Sequence, residues 1–89
     1  MRVEWLQKRI TVAEAEARHM IRVDRLGPEP VPFGFQNDRW RDLVGEMQDG
    51  DELWEFASSP ESWQQLAGRA GIALVRNGEI VASIVTVLN

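Results

Sequence analysis

Few residues in this chain have the types and spacing that catalysis or metal binding requires. His19 is the only histidine and cysteine is absent, so the sequence holds neither a His/Cys zinc cluster nor a thiolate nucleophile. Asp49, Asp51 and Glu52 crowd one turn, where carboxylates can bind a hard cation, but the calcium-loop pattern is missing. We therefore expect no metal site and no cofactor, and the residues favour a role other than catalysis.

Length and charge narrow the remaining function classes. The 89 residues are enough for one core, so we expect a single domain over 1–89, and 44% hydrophobic with 27% charged residues is a globular balance. The net charge of −4 divides into +2 over 1–25 and −6 over 26–89, and the acidic remainder disfavours nucleic-acid binding. No apolar run approaches the roughly 20 residues of a membrane span, and charges occupy the place of a signal peptide's apolar segment. A cytoplasmic protein is expected.

Two interpretations of the N-terminal part remain open. Apolar residues spaced three and four apart predict one helix over 3–25. Alternatively, Thr11 and Glu14 form a capping box, in which case the helix begins at Thr11 and residues 3–10 are a separate turn or strand.

The middle of the chain predicts a connector and a second helix. Three prolines and two glycines over 24–36 rule out a helix there, and the apolar Phe33 and Phe35 either fasten this loop to the core or form a binding loop. A stripe of apolar residues that begins at Trp40 predicts a helix over 38–48.

The C-terminal part predicts three strands and a third helix. Residues 51–57 have a strand pattern, and a helix capped by Ser58 or Ser59 follows and ends at Gly71. Asn77-Gly78 is the preferred pair for a two-residue hairpin turn between strands 72–76 and 80–87. The predicted fold class is α+β, in the order α-α-β-α-β-β, with three helices and a small three-stranded sheet that ends in a C-terminal β-hairpin. Strand 51–57 pairs either parallel with 72–76 or antiparallel with 80–87.

The hairpin is the feature on which the functional hypotheses depend. If the register continues unbroken from the turn, Leu74 faces Val81 and Ala73 faces Ala82, and both faces of the hairpin are apolar. An antiparallel sheet with one wet face would alternate polar and apolar residues. Both faces therefore need another element packed against them. Three short helices can cover one face, and a second copy of the chain is the more natural cover for the other.

Three hypotheses follow from these patterns. The first is a non-catalytic protein–protein interaction module that forms a homodimer or binds another protein. The second is a ligand-binding domain or small enzyme, with a pocket between the 27–36 loop and the sheet lined by Phe33, Phe35, Trp54 and Trp63. The third is a nucleic-acid-binding regulator that uses the basic first helix, against which the net charge argues. Candidate residues for an interface or ligand site are Phe33, Phe35, Trp54, Phe56, Trp63, Val81 and Val85.

Overall fold

The computed structural model describes the backbone of residues 1–89 and the side chains of residues 1–25 and 27–89. The α-helices and strands are, in chain order, β1 (Leu6–Ile10), α1 (Val12–Arg18), β2 (Met20–Ile21), β3 (Val31–Pro32), α2 (Asn37–Gly45), β4 (Glu52–Ala57), α3 (Pro60–Gln64), β5 (Arg69–Arg76) and β6 (Glu79–Leu88). Short 3₁₀ helices lie at Val3–Trp5, Asp24–Leu26 and Gly34–Gln36. The class is α+β, as predicted.

The prediction of a three-stranded sheet is wrong, because the main sheet has four strands. Its order is β1-β4-β5-β6, and every neighbouring pair is antiparallel. The additional strand comes from residues 3–10. Thr11 and Glu14 form the capping box, with the Glu14 amide donating to Thr11 Oγ1 at 3.1 Å, so the helix begins only after Thr11. Val3–Trp5 form a single 3₁₀ turn, Leu6–Ile10 are extended up to the cap, and Ile10 of β1 pairs with Leu53 of β4.

The helix predicted over 3–25 is also wrong at its C-terminal end. The helix ends at Arg18, and β2 pairs with β3 in a separate two-stranded sheet, with Ile21 opposite Val31. Ile21 and Val23 are β-branched residues that favour extended backbone, whereas the apolar spacing that predicted the helix ended at Met20 and did not include them.

The hairpin turn is confirmed, but the register beyond it is not. Asn77 and Gly78 have positive φ angles of 53° and 80°, as a type I′ turn requires. The register then shifts by one residue, so Leu74 pairs with Ala82 rather than with Val81. This bulge reverses the faces that we predicted for most of β6. A second shift between Ala70 and Gly71 displaces the end of the strand again.

The third helix is shorter than its apolar stripe predicts. Ser59 is its N-cap, but it ends at Gln64, and Leu66 has a φ of 58° with its side chain in solvent. The strand after it starts at Arg69 and contains Gly71, which we expected to end the helix. Gly68 lies directly against the Trp63 indole, where a Cβ would overlap the ring, so Trp63 packs on this turn instead of extending a stripe.

The core lies between the sheet and one layer formed by α1, α2, β2 and β3, which we call the helical layer. Inward-facing residues of the four strands meet Ala15, Phe33, Trp40 and Leu43 from this layer. The sheet residues in this core are Ile10, Leu53, Ile72, Leu74 and Ile84. The shortest extent of the Cα atoms is 17 Å, which accommodates one sheet and one layer against it, since packed layers are about 10 Å apart.

Candidate functional site

The candidate site is the sheet face that points away from the helical layer, which we call the open face. Alternation along each strand puts the neighbours of the core residues on this side. Its members are Leu6, Arg9, Glu52, Trp54, Phe56, Gly71, Ala73, Val75, Ile80, Ser83 and Val85.

The open face has a closely packed centre and a partly exposed surround. Phe56, Ala73 and Val75 are at most 5% exposed. Trp54 and Val85 are half-buried. The molecule has the thickness of two layers, so these side chains have no second layer of this chain above them. A mostly apolar sheet surface results.

Polar groups lie at both ends of this surface. The Trp54 indole N–H donates to Glu52 Oε1 at 2.9 Å, and Arg9 Nη1 lies 3.4 Å from the other Glu52 carboxylate oxygen. At the opposite end, the Arg69 guanidinium lies 5.3 Å from the centroid of the Trp5 ring. An apolar centre with a polar border is the usual anatomy of a protein–protein interface.

Both edges of the sheet are protected against pairing with another strand. On β1, Lys8 and Arg9 are exposed and the register is irregular between Leu6 and Lys8. On β6, two bulges interrupt the ladder, and Gln36 Nε2 donates to the Val85 carbonyl at 2.9 Å. Charges and bulges are devices that natural sheets use against edge-to-edge association. The face, not an edge, is therefore the available surface.

The structure brings together only part of the predicted site. Trp54, Phe56 and Val85 share the open face, and Val81 is exposed at the β6 bulge. Phe33 lies in the core on the opposite side of the sheet. The side chains expected to line a pocket beside the 27–36 loop therefore do not meet, because Phe33 and Trp54 are on different faces.

Two of those predicted residues lie elsewhere. Phe35 projects into solvent from the helical layer, and Trp63 packs on Gly68 at the end of the sheet. Sequence reasoning missed Arg9 and Ser83 as open-face residues. Arg9 lies in the segment 3–10, for which the sequence left a helix and a separate turn or strand open. Ser83 faces this side only because of the bulge, for which the sequence has no marker.

His19 lies at a cleft of about 300 Å³ between the end of α1 and the sheet. Its ring stacks on Phe33 with centroids 4.7 Å apart, and partial burial lowers the pKa of His19 below its ordinary value. Arg18 at the rim forms an ion pair with Glu55. The lining residues include neither a serine nor a cysteine, and the one hydroxyl among them, Thr86 Oγ1, donates to the Ala70 carbonyl oxygen at 3.4 Å.

The basic first helix of the third hypothesis has a different form in the structure. α1 spans seven residues and contains one basic residue, Arg18, which is paired with Glu55. Lys8 and Arg9 lie on β1. In residues 1–25 and 27–89, no group of three or more acidic or histidine side chains is arranged to hold a metal ion.

No protein-family model, curated protein or solved structure is significantly similar to this chain. Within the part of the chain that the structure describes, every helix is too short or too polar to cross a bilayer.

Proposed function

We propose that this chain is a non-catalytic protein–protein interaction module that forms a homodimer by stacking the open faces of two copies. The observation that carries this proposal is an apolar sheet face without a covering layer in a protein whose sheet edges are both protected. Sheets stacked face to face are a common solution for two apolar sheet surfaces, with the layers about 10 Å apart. We further propose a cytoplasmic location, which the absence of cysteine permits.

Charge supports a second copy as the occupant. The charged residues at the ends of the open face are Arg9, Glu52 and Arg69, so this side carries about one positive charge although the whole chain carries −4. The acidic side chains that make the net charge negative lie elsewhere, for example Asp38 and Asp42 on the exposed side of α2. Two copies can therefore stack without bringing acidic groups together.

The size of the face sets the expected affinity. Four strands about 4.8 Å apart, paired over roughly six residues of 3.4 Å, give a footprint of about 400 Å² per copy. Two copies would bury about 800 Å² or somewhat more, below the 1,200–2,000 Å² of stable complexes. We therefore expect a reversible dimer with a dissociation constant in the micromolar range, about 1–100 µM.

The test is sedimentation equilibrium of the wild type and two lysine variants. Ser83→Lys places a charge on the open face, on strand β6 opposite Ala73, where stacking would remove the ammonium group from water without a partner. Val87→Lys is the matched control on the same strand. Val87 pairs with Ala70 beyond the second bulge and lies on the helical side.

We expect Ser83→Lys to weaken the dimer at least tenfold, which corresponds to about 1.4 kcal/mol, and Val87→Lys to leave it unchanged. A wild type that remains monomeric at ~100 µM would contradict the proposal. Equal effects of the two substitutions would place the contact elsewhere.

A further inference from the structure

One aromatic side chain of the helical layer is held in water. Phe35 is 70% exposed, whereas Phe33, two residues earlier, is buried between His19 and Trp40. The Phe33 ring centroid lies 4.3 Å from the Trp40 ring centroid. The two phenylalanines therefore have opposite environments within one short turn.

The backbone of this turn is held in an unfavourable conformation. Phe33 has a φ of 63° and a ψ of 11°, a left-handed conformation that is rare for a bulky residue. Gly34 follows with a φ of 54°, and a Cβ at this position would meet side-chain atoms of Ile21 and Val23 at 3.1–3.3 Å. Strain of this kind persists where surrounding packing fixes it, often at binding sites. The packing that buries Phe33 thus fixes Phe35 on the outside.

A groove of about 410 Å³ lies beside the exposed ring, within the range of ligand sites. Ile21 and Val23 provide its apolar lining. The Arg25 guanidinium lies 5.2 Å from the Phe35 ring centroid. Arg22 lies 3.8 Å from Asp24, whereas Arg25 has no carboxylate within 4.0 Å among the side chains of residues 1–25 and 27–89.

We propose that this groove binds a short acidic segment of another protein, in which an apolar side chain stands next to a carboxylate. The apolar side chain packs against Phe35 and Ile21, and the carboxylate accepts hydrogen bonds from Arg25. A guanidinium beside an aromatic ring is a frequent centre of binding energy, and its planar donors match a carboxylate. The groove lies in the helical layer, so this contact is separate from the proposed stacking of open faces.

The test uses a synthetic peptide, N-acetylated and C-amidated, that alternates three glutamates with a leucine and a phenylalanine. Its control has lysine in place of each glutamate. Each is titrated into the full ¹⁵N-labelled chain, and amide shifts are followed by NMR. We expect the acidic peptide to shift the amides of Ile21, Arg25 and Phe35, and the basic peptide to leave them unchanged.

Two variants and one control identify the groups responsible. Phe35→Ala and Arg25→Glu should each weaken binding of the acidic peptide about tenfold or more, and Arg25→Glu should gain affinity for the basic peptide. Leu66→Ala removes an equally exposed apolar side chain elsewhere and should change nothing. Ser83→Lys should also bind the peptide normally, which separates this contact from dimer formation.

The proposal is overturned if the acidic peptide at ~1 mM shifts no amide near Phe35. It is equally overturned if Arg25→Glu binds both peptides as the wild type does, or if the shifts appear only on the open face. Arg25→Glu changes an exposed side chain, so it tests the proposal even if Phe35→Ala folds poorly.

Discussion

Replacing Gly71 with alanine tests the bulged hairpin on which the open face depends. Gly71 lies in β5 opposite Val85, beside the second register shift. A Cβ at this position would overlap the Ile84 carbonyl oxygen and approach the Val85 Cα at 3.0 Å. A backbone oxygen in a paired strand cannot rotate away as a side chain can, so β6 must move.

Forcing an extra carbon into packed structure costs about 1–3 kcal/mol, and we expect Gly71→Ala to lie at the upper end of this range. For a domain of this size, 1 kcal/mol lowers the melting temperature by about 4–8 °C, so the expected decrease is about 10–20 °C. Because the shift of β6 displaces Val85, the variant should also lose self-association.

Gly45→Ala is the matched control. Gly45 ends α2, and a Cβ there meets no atom within 4 Å. Alanine should therefore stabilise the fold by up to about 1 kcal/mol, through its higher helix propensity. Urea unfolding followed by tryptophan fluorescence gives both free energies. If the free energy of unfolding of Gly71→Ala lies within ~0.5 kcal/mol of the wild-type value, a Cβ at position 71 does not displace β6.

Three further predictions concern single side chains. Thr11→Ala removes the cap from α1 and should lower the free energy of unfolding by about 1 kcal/mol in urea titrations. Thr11→Ser keeps a hydroxyl that can accept the same hydrogen bond, so this variant should retain most of the wild-type free energy of unfolding. Hydrogen bonds from Arg76 hold the pKa of Asp51 below its ordinary value, so the unfolded chain binds more protons in acid. The free energy of unfolding, measured from about pH 5 to about pH 2, should decrease as the pH falls below about 4. In Asp51→Asn this decrease should be smaller. The His19 ring should titrate by NMR below the ordinary pKa of about 6.5, so acidification through this range destabilises the fold; a pKa above that value would contradict its burial.

Three local signals in the sequence were confirmed, whereas Gly71, which we expected to end the third helix, lies within β5. The capping box at Thr11, the Ser59 cap and the Asn77-Gly78 turn each depend on two to four adjacent residues and are present in the structure. Such motifs satisfy their own hydrogen bonds, and distant residues seldom change them.

Predictions that depended on distant contacts were less accurate. The apolar spacing of residues 3–10 fits a helix, yet pairing with β4 makes Leu6–Ile10 a strand, with Arg9 opposite Trp54. The one-residue shift after Val75 depends on how β6 meets both β5 and α2, which no neighbouring residue encodes. The sequence therefore indicated that the hairpin needs cover on both sides, but assigned most residues of β6 to the wrong face.

The bulge also determines what kind of contact the open face can make. In the unbroken register, Ala82 and Ile84 would have joined Val75 on this face, and Ser83 would have met the helical layer. The observed register places Ser83 opposite Ala73, within the open face, and moves Ile84 into the core. A hydroxyl group inside a stacked sheet interface must keep a hydrogen-bond partner or a water molecule, which reduces the gain from burial. The same irregularity that protects the β6 edge against uncontrolled pairing therefore limits the affinity of the face, and favours an association that can be reversed over one that is permanent.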